Sequence, residues 1–142
     1  MYDLDDLYVK LFVDTDVARR RLEALVADTV HGALHHPGLP GAYITGRYVE
    51  IEIEENAEFD QTRRFEPDRG YLFARYALDI FALRGQTPLA HLAMVTRLLQ
   101  RLRGVGMLAV PGDDGLAHGL PRPEEMPGRR HSRGYGAYKI WA

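Results

Sequence analysis

RGYLFARYALDIFAL, residues 69–83, is the longest apolar alternation in the chain and is predicted to form one long central β-strand. Successive side chains of a strand point to opposite faces. Leu72, Ala74, Tyr76, Leu78 and Ile80 therefore fall on one face, and Tyr71, Phe73, Arg75, Asp79 and Phe81 on the other. The first set suits a core. The second joins three aromatics to two charges, the make-up of a surface offered to a partner.

Upstream of this strand, residues 7–13 alternate cleanly, with Leu7, Val9, Leu11 and Val13 on one side and Tyr8, Lys10 and Phe12 on the other. They predict a first strand. Asp14, Thr15 and Asp16 follow, and each can cap a helix by accepting from its free N–H groups. That helix carries Ala18, Leu22, Leu25, Val26 and Thr29 on one side and is expected to end near Gly32 or before Pro37. HHPGLPG, residues 35–41, reads as a loop. A second strand begins at Tyr43 and is strongest over residues 48–54, with Val49, Ile51 and Ile53 inward and Glu50, Glu52 and Glu54 outward. Such a row of like charges suits a sheet edge. The polar stretch 55–68 reads as a long loop.

Downstream, Thr87 as N-cap and Pro88 at the first helical position open a second helix. Its buried stripe is Leu92, Val95, Leu98, Leu99 and Leu102, and Gly104 ends it. Residues 106–110 give a short last strand. The order strand, helix, strand, strand, helix, strand predicts an α+β, ferredoxin-like βαββαβ sandwich. Its four-stranded antiparallel sheet would carry two helices on one face, with the first and third strands central and the glutamate strand at an edge. This domain is expected over residues 1–114. Residues 115–142, rich in Pro, Gly and Arg, are expected to be an irregular tail. Its apolar end, with Tyr135, Tyr138 and Trp141, is expected to dock, in cis or in trans.

The 142 residues fit one domain, and the net charge of −2 provides no global attraction to nucleic acid or an anionic membrane. The distribution of charge says more. Residues 50–60 hold six acids and no base, whereas residues 120–142 hold five bases and two acids. Sixteen of the eighteen bases are arginine, the usage of a GC-rich bacterial genome. The chain has no cysteine, which removes disulfides, thiolate nucleophiles and cysteine metal sites, and the acidic start MYDLDDLYVK lacks the order of a signal peptide. A soluble cytoplasmic protein is the expectation.

Arg69-Gly70-Tyr71-Leu72-Phe73-Ala74-Arg75-Tyr76 matches five of the seven specified positions of the third-strand octapeptide of the RNA-recognition motif. This resemblance implies base stacking by Tyr71 and Phe73, a phosphate contact from Arg69, and a further stacking aromatic at Tyr8. The glutamates on the same open face oppose a phosphate backbone. The stretches YLFARYALDI, HLAMVTRLLQRLRG and VGMLAVPGDD are together similar to small bacterial immunity proteins that accompany polymorphic toxins. That resemblance implies stoichiometric inhibition by occlusion of a toxin's active site. Acidic surfaces such as Glu50, Glu52, Glu54, Glu55 and Glu58 would speed capture of a basic toxin.

Catalytic chemistry has little to draw on. Ser132 is the only serine, and Asp113 and Asp114 lie in a loop with no evident partner. His31, His35 and His36 show helical spacing without a third ligand at motif distance. No catalytic set, cofactor or metal is therefore assigned. The expected function is a non-enzymatic protein-binding module, with an immunity-type toxin inhibitor as the specific form. Self-association through the same face is the related outcome, and RNA binding or a dimeric ferredoxin-like small-ligand protein or enzyme are the alternatives. The expected partner-binding residues are Tyr8, Phe12, Glu50, Glu52, Glu54, Tyr71, Phe73, Arg75 and Trp141.

Overall fold

The computed structural model describes residues 8–83, 85–112 and 120. Among these residues ten elements follow one another. They are β1 (Val9–Asp14), α1 (Arg19–Val30), β2 (Ala33–His35), β3 (Tyr43–Thr45), β4 (Val49–Glu55), two 3-10 turns (Arg63–Phe65 and Gly70–Phe73), β5 (Tyr76–Ala82), α2 (Pro88–Gly104) and β6 (Leu108–Pro111). The protein is α+β. Its strands form one sheet in the order β2-β3-β4-β5-β1-β6, and each neighbouring pair is antiparallel. The first strand and the strand from the 69–83 stretch are central neighbours as expected, with Val9, Leu11 and Val13 opposite Ile80, Leu78 and Tyr76.

One face of the sheet is the core. Val9, Leu11 and Val13, then Val49, Ile51 and Ile53, then Tyr76, Leu78 and Ile80 are sealed against Leu22 and Val26 of α1 and Val95, Leu98, Leu99 and Leu102 of α2. Burying an aliphatic side chain of this kind is worth roughly 1.5–3 kcal/mol. Leu120 joins this cluster at 4% exposure, so the chain returns to the core after β6. The remainder of the predicted tail, Trp141 included, lies outside the described residues, as does Leu7.

The expected four strands are six. Residues 33–35 and 43–45, the first of them expected to lie in helix or loop, form a short hairpin that extends the sheet beyond β4. The glutamate strand is therefore not an edge. Left-handed backbone makes the hairpin possible. His31 (φ 51°) closes α1, and its neighbour Gly32 donates its N–H to the Ala27 carbonyl, while His36 (φ 56°), Gly38 (φ 76°) and Gly41 (φ 82°) turn the chain. Buried Glu23 fixes the turn to α1, accepting from the Gly38 N–H at 2.7 Å and from Arg19 at 3.0 Å.

Gly32 is set by space. A Cβ there would lie 2.6 Å from Ile44 Cγ2 and 3.0 Å from the Thr45 carbonyl oxygen. Gly32→Ala is expected to cost about 1–3 kcal/mol, the range for overpacking. Denaturant melts would show a lower midpoint at an unchanged slope.

The single strand expected over 69–83 is broken. Only Tyr76–Ala82 pairs as a strand, and Gly70–Phe73 is a 3-10 turn. Side chains take the backbone groups that a ladder would have used. Asn56 Nδ2 donates to the Leu72 and Ala74 carbonyls, each at 2.9 Å, and Asp14 accepts the Arg75 N–H at 2.9 Å. Tyr76, Leu78, Ile80 and Ala74 are buried as expected, while Leu72 is half-buried.

The N-terminus of α1 also departs from expectation. Ala18 occupies the cap position with no side-chain cap, Thr15 accepts from the Val17 N–H at 3.1 Å, and Asp14 is occupied elsewhere. The start of α2 is as expected. Thr87 Oγ1 accepts from the Ala90 N–H at 3.1 Å, Pro88 follows, and Gly104 is the last helical residue.

Candidate interaction face

The helices cover one side of the sheet, and the alternation of each strand dictates what the other side carries. Register places His35, Tyr43, Glu52, Asp79 and Lys10 in one row across β2, β3, β4, β5 and β1. The adjacent row runs Ala33, Thr45, Glu50, Phe81. On the other side runs Glu54, Ala77, Phe12, Val110. Four carboxylates thus share the β4–β5 half of the open face.

The acids are crowded. One carboxylate oxygen each from Glu52, Glu54 and Asp79 lies within 4.8 Å of the others, an arrangement that could hold a cation and that exposed acids also adopt without one. Tyr8 donates its hydroxyl to the Asp79 carboxylate, and its ring rests 5.3 Å from that of Phe81, which is 37% exposed. The nearest base in register is Lys10, opposite Asp79. Its ammonium instead lies 5.9 Å from the Phe12 ring. Among the described residues, no basic side chain forms an ion pair with Glu50, Glu52 or Glu54.

Partial burial, then the neighbouring charges of Glu54, Asp79 and Glu50, hold the Glu52 carboxyl above its ordinary value. A raised folded-state value means that the folded protein prefers the protonated group. The resulting destabilisation is present at neutral pH and is relieved as pH falls through the raised value. Glu52→Gln is therefore expected to raise the melting temperature at neutral pH. The expected size is about 0.2–1 kcal/mol, the scale of cross-strand side-chain pairs on a sheet. The gain should shrink as pH falls through the raised value and vanish below the ordinary glutamate value, and it should also shrink in high salt. Thermal melts over a pH and salt grid check this.

The other end of the face is covered by the 56–75 excursion. Tyr71, on the Gly70–Phe73 turn, meets Phe12 edge-on at 5.5 Å, and the Gly112 N–H donates to the Lys10 carbonyl at 2.8 Å. Phe73 lies under the Arg63 guanidinium at 3.9 Å, and the Arg75 guanidinium is 5.2 Å from the Tyr76 ring. Tyr71, Phe73 and Arg75, expected on the open face of one strand over 69–83, thus lie outside the ladder, because the strand begins only at Tyr76. Tyr8, Glu50, Glu52 and Glu54 do lie together, joined by Asp79, Phe81 and Tyr43.

The excursion is anchored by a buried ion pair. Arg64, 1% exposed, donates from Nε to Asp14 Oδ2 at 2.9 Å, and its NH2 lies 2.9 Å from Asp14 Oδ1. Its NH1 meets Asp16 at 2.9 Å and Gln61 at 3.1 Å, and the rings of Phe65 and Phe59 lie 5.0 and 5.3 Å away. Asp60 caps the following turn by accepting the Thr62 and Arg63 N–H groups, and those bonds lower its carboxyl below the ordinary range.

The histidines do not converge. His35 stacks on Tyr43 at 4.5 Å, whereas His31 and His36 are turn residues with left-handed backbone. The alternation assigns Asp79 and Phe81 to the open face but does not join them to the glutamates, since that requires the β4–β5 register. Nothing in the pattern RRFEPDR marks Arg64 as buried. No helix among the described residues is long and apolar enough to cross a membrane. In comparisons with known proteins, the chain matches no family model, no curated protein and no solved structure.

Proposed function

We propose that this chain is a non-enzymatic protein-binding module of the bacterial cytoplasm that engages a basic partner through the open face of its sheet. The order β6-β1-β5-β4 supports a ferredoxin-like reading of that part of the sheet, with the β2–β3 hairpin as an extension beyond β4. The carrying observation is the group of Glu50, Glu52, Glu54 and Asp79 beside Tyr8 and Phe81, with no cationic partner for the glutamates among the described residues. Like charges kept adjacent oppose folding, so their use is sought outside the fold. Aromatics such as Tyr8 and Phe81 are the usual material of a binding centre, and charges around them set specificity and capture rate.

The specific form we propose is an immunity-type inhibitor that occludes a basic toxin. Acids on the face would accelerate capture, the property such an inhibitor needs most. The test is affinity purification from the native host with the wild-type chain and with a Glu50→Gln/Glu52→Gln/Glu54→Gln variant as baits. The reading expects a basic protein held by the wild type and lost from the variant. Recovery of self-copies alone would overturn it.

A further inference from the structure

The open face has a second candidate occupant, encoded in the same chain. Residues 127–142, PGRRHSRGYGAYKIWA, contain Arg129, Arg130, Arg133 and Lys139, no acid, and the aromatics Tyr135, Tyr138 and Trp141. The face presents the inverse, four carboxylates with one base, beside the Tyr8–Phe81 aromatic pair.

We propose that residues 127–142 lie across the open face of their own sheet, with their cations among Glu50, Glu52, Glu54 and Asp79 and their aromatics against Tyr8 and Phe81, so that a foreign partner must displace them.

Reach and concentration support this cover. Leu120 is held in the core, which fixes the chain 22 residues before Ala142. An extended chain covers roughly 3.3–3.6 Å per residue, or about 70 Å over that length. A domain of this size has a radius of gyration near roughly 14 Å, so the segment can pass round the sheet. A tether of this kind supplies an effective concentration of roughly millimolar, so an intrinsic dissociation constant below roughly 0.1 mM keeps the face largely covered. Such cover would also relieve the repulsion within the carboxylate group and shield Phe81 from unspecific contacts. The inference rests on reading this face as a docking surface, and it adds an intramolecular competitor for it.

The full chain provides two probes. Lys139 is one of only two lysines, and Trp141 is the only tryptophan. A carbodiimide, which joins an amine to a carboxylate with no spacer, is expected to link Lys139 to Glu50, Glu52 or Glu54 within monomers, at a yield independent of protein concentration. Lys139→Arg should abolish the link. Trp141 should resist acrylamide quenching in the wild type. Its quenching constant should rise to that of a free indole in the Glu50→Gln/Glu52→Gln/Glu54→Gln variant, and in the wild type at roughly 1 M salt, where the Debye length is about 3 Å. Far-ultraviolet circular dichroism confirms that the variant is folded.

Links between chains only, links from Lys139 only to other acids, or Trp141 quenching indifferent to both the variant and salt would each overturn the proposal. Failure here is distinguishable from failure of the proposed function. A silent Trp141 with a partner still lost from the variant removes the intramolecular cover alone. A responsive Trp141 with no foreign partner recovered supports the cover and removes the inhibitor reading.

Discussion

Replacing Arg64 with alanine is expected to destabilise the protein by about 3–5 kcal/mol, the usual cost of stranding one member of a buried ion pair. Asp14 is 0% exposed, and Arg64 supplies both of its ionic contacts. The Arg75 N–H, which donates to the same carboxylate, cannot neutralise it. The substitution also removes the guanidinium that lies near the Phe59 and Phe65 rings. Urea unfolding of the variant against the wild type reads the loss directly. Arg64→Lys should recover only part, because an ammonium cannot form the paired contacts that a guanidinium makes to Asp14 and Asp16. A wild-type midpoint for Arg64→Ala would show that the pair contributes little.

Under the proposed function, charge reversal on the open face is expected to have the largest effect on binding. With Glu50, Glu52 and Glu54 all changed to lysine, a basic partner meets three repulsive charges where it had three attractive ones. Losing one desolvated charge contact at an interface costs about 2–5 kcal/mol. A loss of at least about 100-fold, roughly 2.7 kcal/mol, is therefore expected. The association rate should fall first, and its dependence on salt should reverse, because screening then relieves a repulsion. The fold should tolerate the change, since Glu52→Lys exchanges a repulsion across the ladder from Asp79 for an attraction. Titration against the recovered partner at two salt concentrations, beside a thermal melt of the free variant, separates the two effects. Unchanged affinity would remove the carboxylates from the interface.

The sequence is most legible where one physical signal acts alone. The alternation of Val9, Leu11 and Val13 and of Val49, Ile51 and Ile53 marks strands that are strands, and Thr87-Pro88 with Gly104 bounds α2. The neighbour relation between β1 and β5 follows from element order. Competition between signals defeats the rest. Tyr71 and Phe73 alternate as a strand should, yet Asn56, from 15 residues earlier than Tyr71, takes the carbonyls that would have paired. Residues 33–35 are too few to show a period, and their pairing depends on left-handed turns at His36 and Gly38. The glutamates are legible as an outward row. Their proximity to Asp79 is not, because register between strands separated by 20 or more residues leaves no local mark.

The Asp14 clamp also bears on how the protein folds. It joins residues 50 and 61 positions apart, to Arg64 and to the Arg75 N–H, and it sits at the end of a central strand. Closing loops of that length carries an entropic cost that must be met before the contacts form. The clamp is therefore expected to close after the β4–β5 pairing and to be largely absent from the folding transition state. Arg64→Ala should then accelerate unfolding with little change in the folding rate. One carboxylate at the rim of β1 would thus govern how long the native state persists, and β4 and β5 how quickly it is reached.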